Sequence, residues 1–226
     1  VLNVRDMGAS GLGDWDDVAA LQAALTAAET QGGGVVFLPR GRYLFEGTLK
    51  LPRHTVLRGE GRELTSLCWP DTEEPYTLVA GTDHFGVEDI TLYASNYVHG
   101  IAADLDTPEA GYTHLRNVCL RAVIYRGHLT PDQVDERFRA TLKHSTGGGD
   151  SIRLGGENVV VSGCDIYGSG RAFYLYGVRG GNVSDNRFYN GRWGWYCITG
   201  ADGLIYENNG LTGADLMSTG GGINCL

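Results

Sequence analysis

Five times after residue 85 the chain repeats one spacing: an apolar residue, two variable positions, a residue of buried type, one variable position and a second apolar residue. The instances are Val87/Ile90/Leu92, Leu115/Val118/Leu120, Val161/Cys164/Ile166, Val183/Asn186/Phe188 and Tyr206/Asn209/Leu211. The last two steps are 22 and 23 residues, and the first is 28. The step of 46 from Leu115 to Val161 is either two turns or one turn with an insertion. A period of roughly 20–30 residues built on short strands marks a solenoid, in which each unit buries its apolar face only by stacking on the next. Leucine-rich repeats share the period, but their leucine-dense consensus is absent. A β-helix coil fits better, with apolar residues stacked in columns. Asn186, above Cys164 and below Asn209, predicts a polar stack that ties turns together rather than a chemical site.

Composition agrees. Glycine occurs 35 times in 226 residues, against about 7% in an average chain, and shows no collagen period. Spread among Val, Ile, Tyr and Phe, it signals short strands and tight turns. A net charge of −9 argues against nucleic-acid binding and against whole-molecule attraction of a polyanion, while leaving room for a local basic groove. No run of about 18 apolar residues offers a membrane span. The five cysteines form no CxxC pair and are odd in number, so they read as free buried thiols rather than a zinc ribbon or a disulfide scaffold. They do not reveal the compartment.

Near the start, Asp16 and Asp17 precede Val18, Leu21, Leu25 and Ala28 at helical spacing. An acidic residue there suits the N-cap and the positive helix end. Gly32, Gly33 and Gly34 stop the helix. Residues 35–38, 43–45 and 55–59 follow as strands. Pro131, with Val134, Phe138 and Leu142 at helical spacing, predicts a helical insertion near 130–144. The chain thus reads as one domain over 1–226: a capping helix and first coils over 1–60, then repeating coils over 85–226 with an insertion at 128–149. It opens on Val1, without a signal peptide, and residues 220–226 look like the middle of a repeat. The expectation is therefore a solenoid cut before its C-terminal end.

The opening residues carry a family likeness. Asn3 to Ala9, Gly13-Asp14, Asp16-Asp17, Ala20 to Leu25, Gly32 to Pro39 and Gly41 to Tyr43 resemble the start of pectate-lyase-superfamily proteins. The likeness covers about 45 residues; Trp15 departs from it where the pattern is usually small or polar. It implies an all-β, right-handed parallel β-helix whose first coil is capped by the 16–30 helix, with Asp16 and Asp17 structural. The superfamily includes polysaccharide lyases, glycoside hydrolases, epimerases and phage tailspikes, and the opening does not choose among them. The polygalacturonase motifs are missing; His99-Gly100 is a fragment of one.

Stacking the coils brings polar residues into register. Asp165 falls over Arg187 and Gly210, Gly163 over Asp185 and Asn208, and Ser162 over Ser184 and Glu207. On the next strand Arg171 falls over Trp193, and Tyr174 over Tyr196, with Asp150 entering beside Arg171. The expected site is one face carrying Asp150, Asp165, Asp185 and Glu207 as catalytic carboxylates. Arg171, Tyr174, Arg187, Trp193, Trp195 and Tyr196 form its substrate-binding rim, where rings can stack on sugars. Glycoside hydrolysis needs two carboxyls about 5–5.5 Å apart for retention or about 6.5–9.5 Å for inversion. Neighbouring strands about 4.8 Å apart can supply either. The same outward carboxylates are also ordinary solvated surface, and Asp165–Arg187 reads equally as a cross-coil ion pair. His84, His99, His114, His128 and His144 lack metal-ligand spacing and read as surface or turn residues.

The acidic balance and the carboxylate-plus-tryptophan face favour a secreted or periplasmic glycoside hydrolase without a cofactor. A polysaccharide lyase is the first alternative. It needs a base beside a carboxylate and a cation to hold the developing charge, with Ca2+ as the cofactor to expect. A glycan-binding adhesin or tailspike module is the second. The partner in each case is a polysaccharide or oligosaccharide; a trimer is one oligomeric option.

Overall fold

The computed structural model describes residues 1–14, 17–70, 72, 74–94, 97–105, 111–122, 150–167, 171–189 and 196–212. A short strand β1 (Leu2–Asn3) and helix α1 (Asp17–Thr30) come first. The chain then winds through β2 (Gly34–Leu38), β3 (Gly41–Leu44), β4 (Leu49–Leu51), β5 (Thr55–Gly59), β6 (Thr65–Cys68) and β7 (Val79–Gly81). The next coils hold β8 (Phe85–Glu88), β9 (Thr91–Ala94), β10 (Ile101–Ala103), β11 (His114–Arg116) and β12 (Cys119–Ala122). The last are β13 (Asp150–Ser162), β14 (Asp165–Tyr167), β15 (Arg171–Ser184), β16 (Arg187–Tyr189), β17 (Tyr196–Thr199), β18 (Ile205–Glu207) and β19 (Gly210–Thr212).

Each strand pairs in parallel with its equivalent one coil away, so three columns form. The first column holds β2, β5, β8 and β11, the ends of β13 and β15, and β18. The second is β3, β6, β9, β12, β14, β16 and β19. The third is β4, β7, β10, the starts of β13 and β15, and β17. This is the expected parallel β-helix, and crossovers between parallel strands of this kind wind right-handed.

Alternation of side chains across each strand sends one row inward per column. Val36, Leu57, Val87, Leu115, Val161 and Val183 stack in the first, and Tyr43, Leu67, Leu92, Leu120, Ile166 and Phe188 in the second. All are buried. Leu115 pairs directly with Val161, so the step of 46 is one coil with an insertion and not two turns. The predicted helix at 130–144 and residues 220–226 lie outside the described residues.

Helix α1 joins the same core through Ala20, Leu21, Ala24, Leu25 and Ala28. Val18, placed on that face by the sequence spacing, is half-buried and packs against the core, and Ala20 and Ala24 join the face as well. The Asp17 carboxylate is buried and accepts hydrogen bonds from the Ser10 (2.6 Å) and Gly11 (3.2 Å) peptide N–H groups, tying the preceding loop to the helix end. Asp16 and Trp15 lie outside the described residues. Gly33 closes the helix by donating to Ala28 O at 2.8 Å. A Cβ there would lie 2.4 Å from His54 O, and its φ is +124°, so only glycine fits.

The corner between the first and second columns is the tightest. Asp89, Asn117, Gly163, Asp185 and Asn208 occupy it with φ between 52° and 64°, the left-handed region that Gly, Asn and Asp tolerate best. Next to it Asn186 accepts from the Cys164 N–H (2.9 Å) and donates to Val161 O (2.9 Å) and to Asn209 Oδ1 (2.9 Å). The predicted polar stack is present.

Candidate functional site: the outer face of the third column

Connections from the first to the second column are two residues long in all coils but the one that uses 60–64. Those entering the third column are longer, as at 69–78 and 95–100, and residues 123–149 also fall there. Connections are the usual carriers of function on a rigid scaffold, and the third column is the one entered by these longer connections.

On that face Arg153 is central. It sits on β13 between Ala102 on one side and Tyr174 on the other. Its guanidinium carbon lies 4.6 Å from the centre of the Tyr174 ring, within cation–π range. Its Nη1 donates to Asp150 Oδ2 at 3.1 Å. The Asp150 side chain is fully buried, whereas that of Arg153 is 30% exposed. A buried carboxylate and an aromatic ring thus pin the guanidinium while part of it faces solvent, which lowers the ordering cost of binding a carboxylate to its fork. Tyr176 lies parallel to Tyr174 with ring centres 6.3 Å apart, and is half-exposed.

His99 and Tyr97 complete the cluster from the connection that precedes β10. The Asp150 peptide N–H donates to His99 Nδ1 at 3.1 Å, and the Tyr97 hydroxyl lies 2.7 Å from Ser151 Oγ. Neither contact is legible in the sequence. His99 has no metal-ligand spacing, and its partner lies 51 residues away across a connection of unpredictable length. Arg153 stands in none of the stacked registers singled out from the sequence.

The residues expected on one face divide into two groups. Asp150, Arg171, Tyr174 and Tyr196 belong to the third column. Asp150 pairs with Arg171 as expected; of Arg171 and Tyr196 the structure describes only the backbone. Tyr174 pairs with Cys197, and Tyr196 with Phe173, so the expected Tyr174–Tyr196 register is off by one. One more residue separates β16 from β17 than separates β14 from β15 at the paired positions, which shifts the whole strand. Trp193 and Trp195 lie outside the described residues.

Asp165, Asp185, Arg187 and Glu207 gather instead around the tight corner between the first and second columns. The registers Asp165–Arg187–Gly210 and Ser162–Ser184–Glu207 are as expected. The ion pair of Asp165, however, is with Arg62 Nη2 at 3.2 Å, and Arg62 also donates to Gly163 O. Asp185 is a corner residue whose carboxylate accepts from the Asn208 side chain, just as Asp89 accepts from Asn117 at 2.7 Å. Arg187 and Glu207 are exposed. Among the described residues no group of three or more His, Cys, Asp and Glu side chains is arranged to hold a metal ion. Among the described residues, too, no helix is long and apolar enough to cross a membrane.

The comparisons follow the fold. Mannuronan C5-epimerase AlgE1 of Azotobacter vinelandii is 29% identical over 237 residues, which cover 95% of this chain and 16% of the relative. This chain therefore spans a small part of that protein. Among solved structures, tailspike gp49 of Acinetobacter baumannii bacteriophage Fri1, a capsular polysaccharide depolymerase, is 12% identical with a TM-score of 0.56, covering 95% of this chain and 48% of that one. The catalytic unit of the GH87 α-1,3-glucanase from Streptomyces thermodiastaticus is 14% identical with a TM-score of 0.55, covering 97% of this chain and 41% of that one. At these identities the two structures attest the fold. Residues 1–121 match the family described as rhamnogalacturonase A/epimerase, pectate lyase-like, more than half of the chain, and with its three-column β-helix the chain belongs to that family.

Proposed function

We propose that this chain carries the substrate groove of an enzyme acting on a uronate-containing polysaccharide by removing the proton beside the sugar carboxylate, as a lyase or an epimerase does. The observation that carries the reading is Arg153, held between buried Asp150 and the Tyr174 ring on the third-column face, which the longer connections 69–78 and 95–100 enter. Chemistry next to a carboxylate requires a base to take the proton, a cation that strengthens its grip as negative charge develops, and an acid that returns a proton to the opposite face of the carbon in an epimerase or to the leaving glycosidic oxygen in a lyase. Arg153 supplies the cation; Asp150 and Tyr174 touch it directly, with Tyr176 beside Tyr174 and His99 against the Asp150 main chain. The name of the epimerase relative, which acts on mannuronan, points the same way. An extracellular or periplasmic setting suits a polymer substrate.

Glycoside hydrolysis remains the second reading, supported by the acidic groups near the tight corner. It asks for two carboxylates across one bond, yet Asp165 and Asp185 are already engaged by Arg62 and Asn208. A panel of neutral and uronate polysaccharides in D2O separates the outcomes. New ultraviolet absorbance from an unsaturated uronate, or deuterium at C5 without cleavage, is expected. Reducing ends without either signal would make the enzyme a hydrolase, and binding without turnover an adhesin.

A further inference from the structure

We propose that Asp150 is a positioning residue of this groove. Its carboxylate sets Arg153, and its peptide N–H fixes His99 as the neutral imidazole with its proton on Nε2. The meaning of this for turnover rests on the uronate reading above; the arrangement itself does not.

A peptide N–H can only donate. The Asp150 N–H points at His99 Nδ1 from 3.1 Å, so Nδ1 offers its lone pair and the one proton of the neutral ring sits on Nε2. Moving the proton to Nδ1 would set two donors against each other and lose the bond. The Asp150 carboxylate is not the histidine's partner in the usual sense: Oδ2 stands 3.8 Å from Nδ1, beyond hydrogen-bond range. Its 3.1 Å bond is to Arg153.

The backbone is shaped for this clasp. Gly100 N–H donates to Asp150 O at 3.0 Å, so the 99–100 segment grips both polar groups of the Asp150 main chain. A Cβ on Gly100 would lie 2.3 Å from Ser151 O. Only glycine lets the two segments approach closely enough for His99 to reach, which gives the His99-Gly100 pair a structural meaning. With its side chain fully buried, Asp150 is shut off from a polymer in the groove and acts through Arg153 and His99. His99 then serves as a hydrogen-bond donor through Nε2 and is unavailable as a base through Nδ1.

The test begins with the free, isotope-labelled full chain. Long-range 1H–15N spectra of the imidazoles should show His99 as the Nε2–H tautomer, in the wild type and in Asp150→Asn alike, because the substitution keeps the peptide N–H. An Nδ1–H tautomer, or a mixture of the two, would overturn the assignment of His99. The Arg153 side-chain signals should show hindered rotation in the wild type and averaging in Asp150→Asn; unchanged signals would overturn the role of the carboxylate. If Asp150→Asn does not fold, Arg153 rotation in the wild type still decides, since free rotation there is incompatible with the pinned geometry. With an active uronate polymer, Asp150→Asn should raise KM tenfold or more and change kcat less. A wild type inactive on every uronate would sink the proposed function but not the tautomer.

Discussion

Asn186 is 1% exposed and its side chain serves three neighbours, Cys164 N–H, Val161 O and Asn209 Oδ1. Replacing it with alanine strands two buried main-chain groups, each worth about 1–3 kcal/mol. Asn186→Ala should therefore lower the unfolding free energy by about 2–4 kcal/mol, read from denaturant melts. The stack was legible in the sequence, because an asparagine at a buried position of a repeat has few other uses. Asp185 was not. A column count sees an outward acid, while the left-handed φ of 58° and the Asn208 contact that make it a corner residue depend on the folded backbone. Cys164 fits the reading of buried thiols: burial pushes it up to about 12, far from a reactive thiolate. Cys68 and Cys119 are also free.

Between strands, side chains on neighbouring coils make ladders that no single element predicts. On the outer face of the first column, Glu88 of β8 is bonded by Arg58 of β5 (2.6 Å) and by His114 of β11 (2.9 Å), with Arg116 at 3.5 Å. Gly86 makes room: a Cβ there would lie 2.2 Å from His114 Nε2. Burial is the largest influence on His114, and it outweighs the Glu88 charge to hold His114 below the ordinary histidine value. Burial pushes Glu88 up, but the Arg58 hydrogen bond and charge, with His114, more than offset it and hold Glu88 low. A depressed folded value means that fewer protons are bound in the folded state than in the unfolded one. Each group's contribution is therefore present above its unfolded pKa, about 6.5 for His and about 4.3 for Glu, and is lost as the pH falls. Denaturant melts should show stability declining in two stages on acidification, and His114→Gln should flatten the upper one. Coil spacing was legible wherever the connections were short. At the 46-residue step it left two options open, of which the pairing of Leu115 with Val161 selects one coil with an insertion, and it failed at Tyr174, where one extra residue before β17 moved the register.

For the whole molecule, the repeat and the capped first coil together identified the β-helix, because both follow from burying apolar columns. The choice of working face did not follow. Outward residues look alike in sequence, and what sets the third column apart is the side from which its connections arrive. Under the proposed function, chemistry on a uronate polymer centres on Arg153 rather than on the carboxylates of the tight corner. The direct measurement is kcat/KM on an active uronate polymer for Arg153→Gln and Asp165→Asn, each checked for an unchanged fold. Arg153→Gln should fall by about 100-fold or more, the loss typical of one charged or polar donor to a developing anion, while Asp165→Asn stays near the wild type. An Arg153→Gln enzyme of full activity beside an inactive Asp165→Asn would contradict the account.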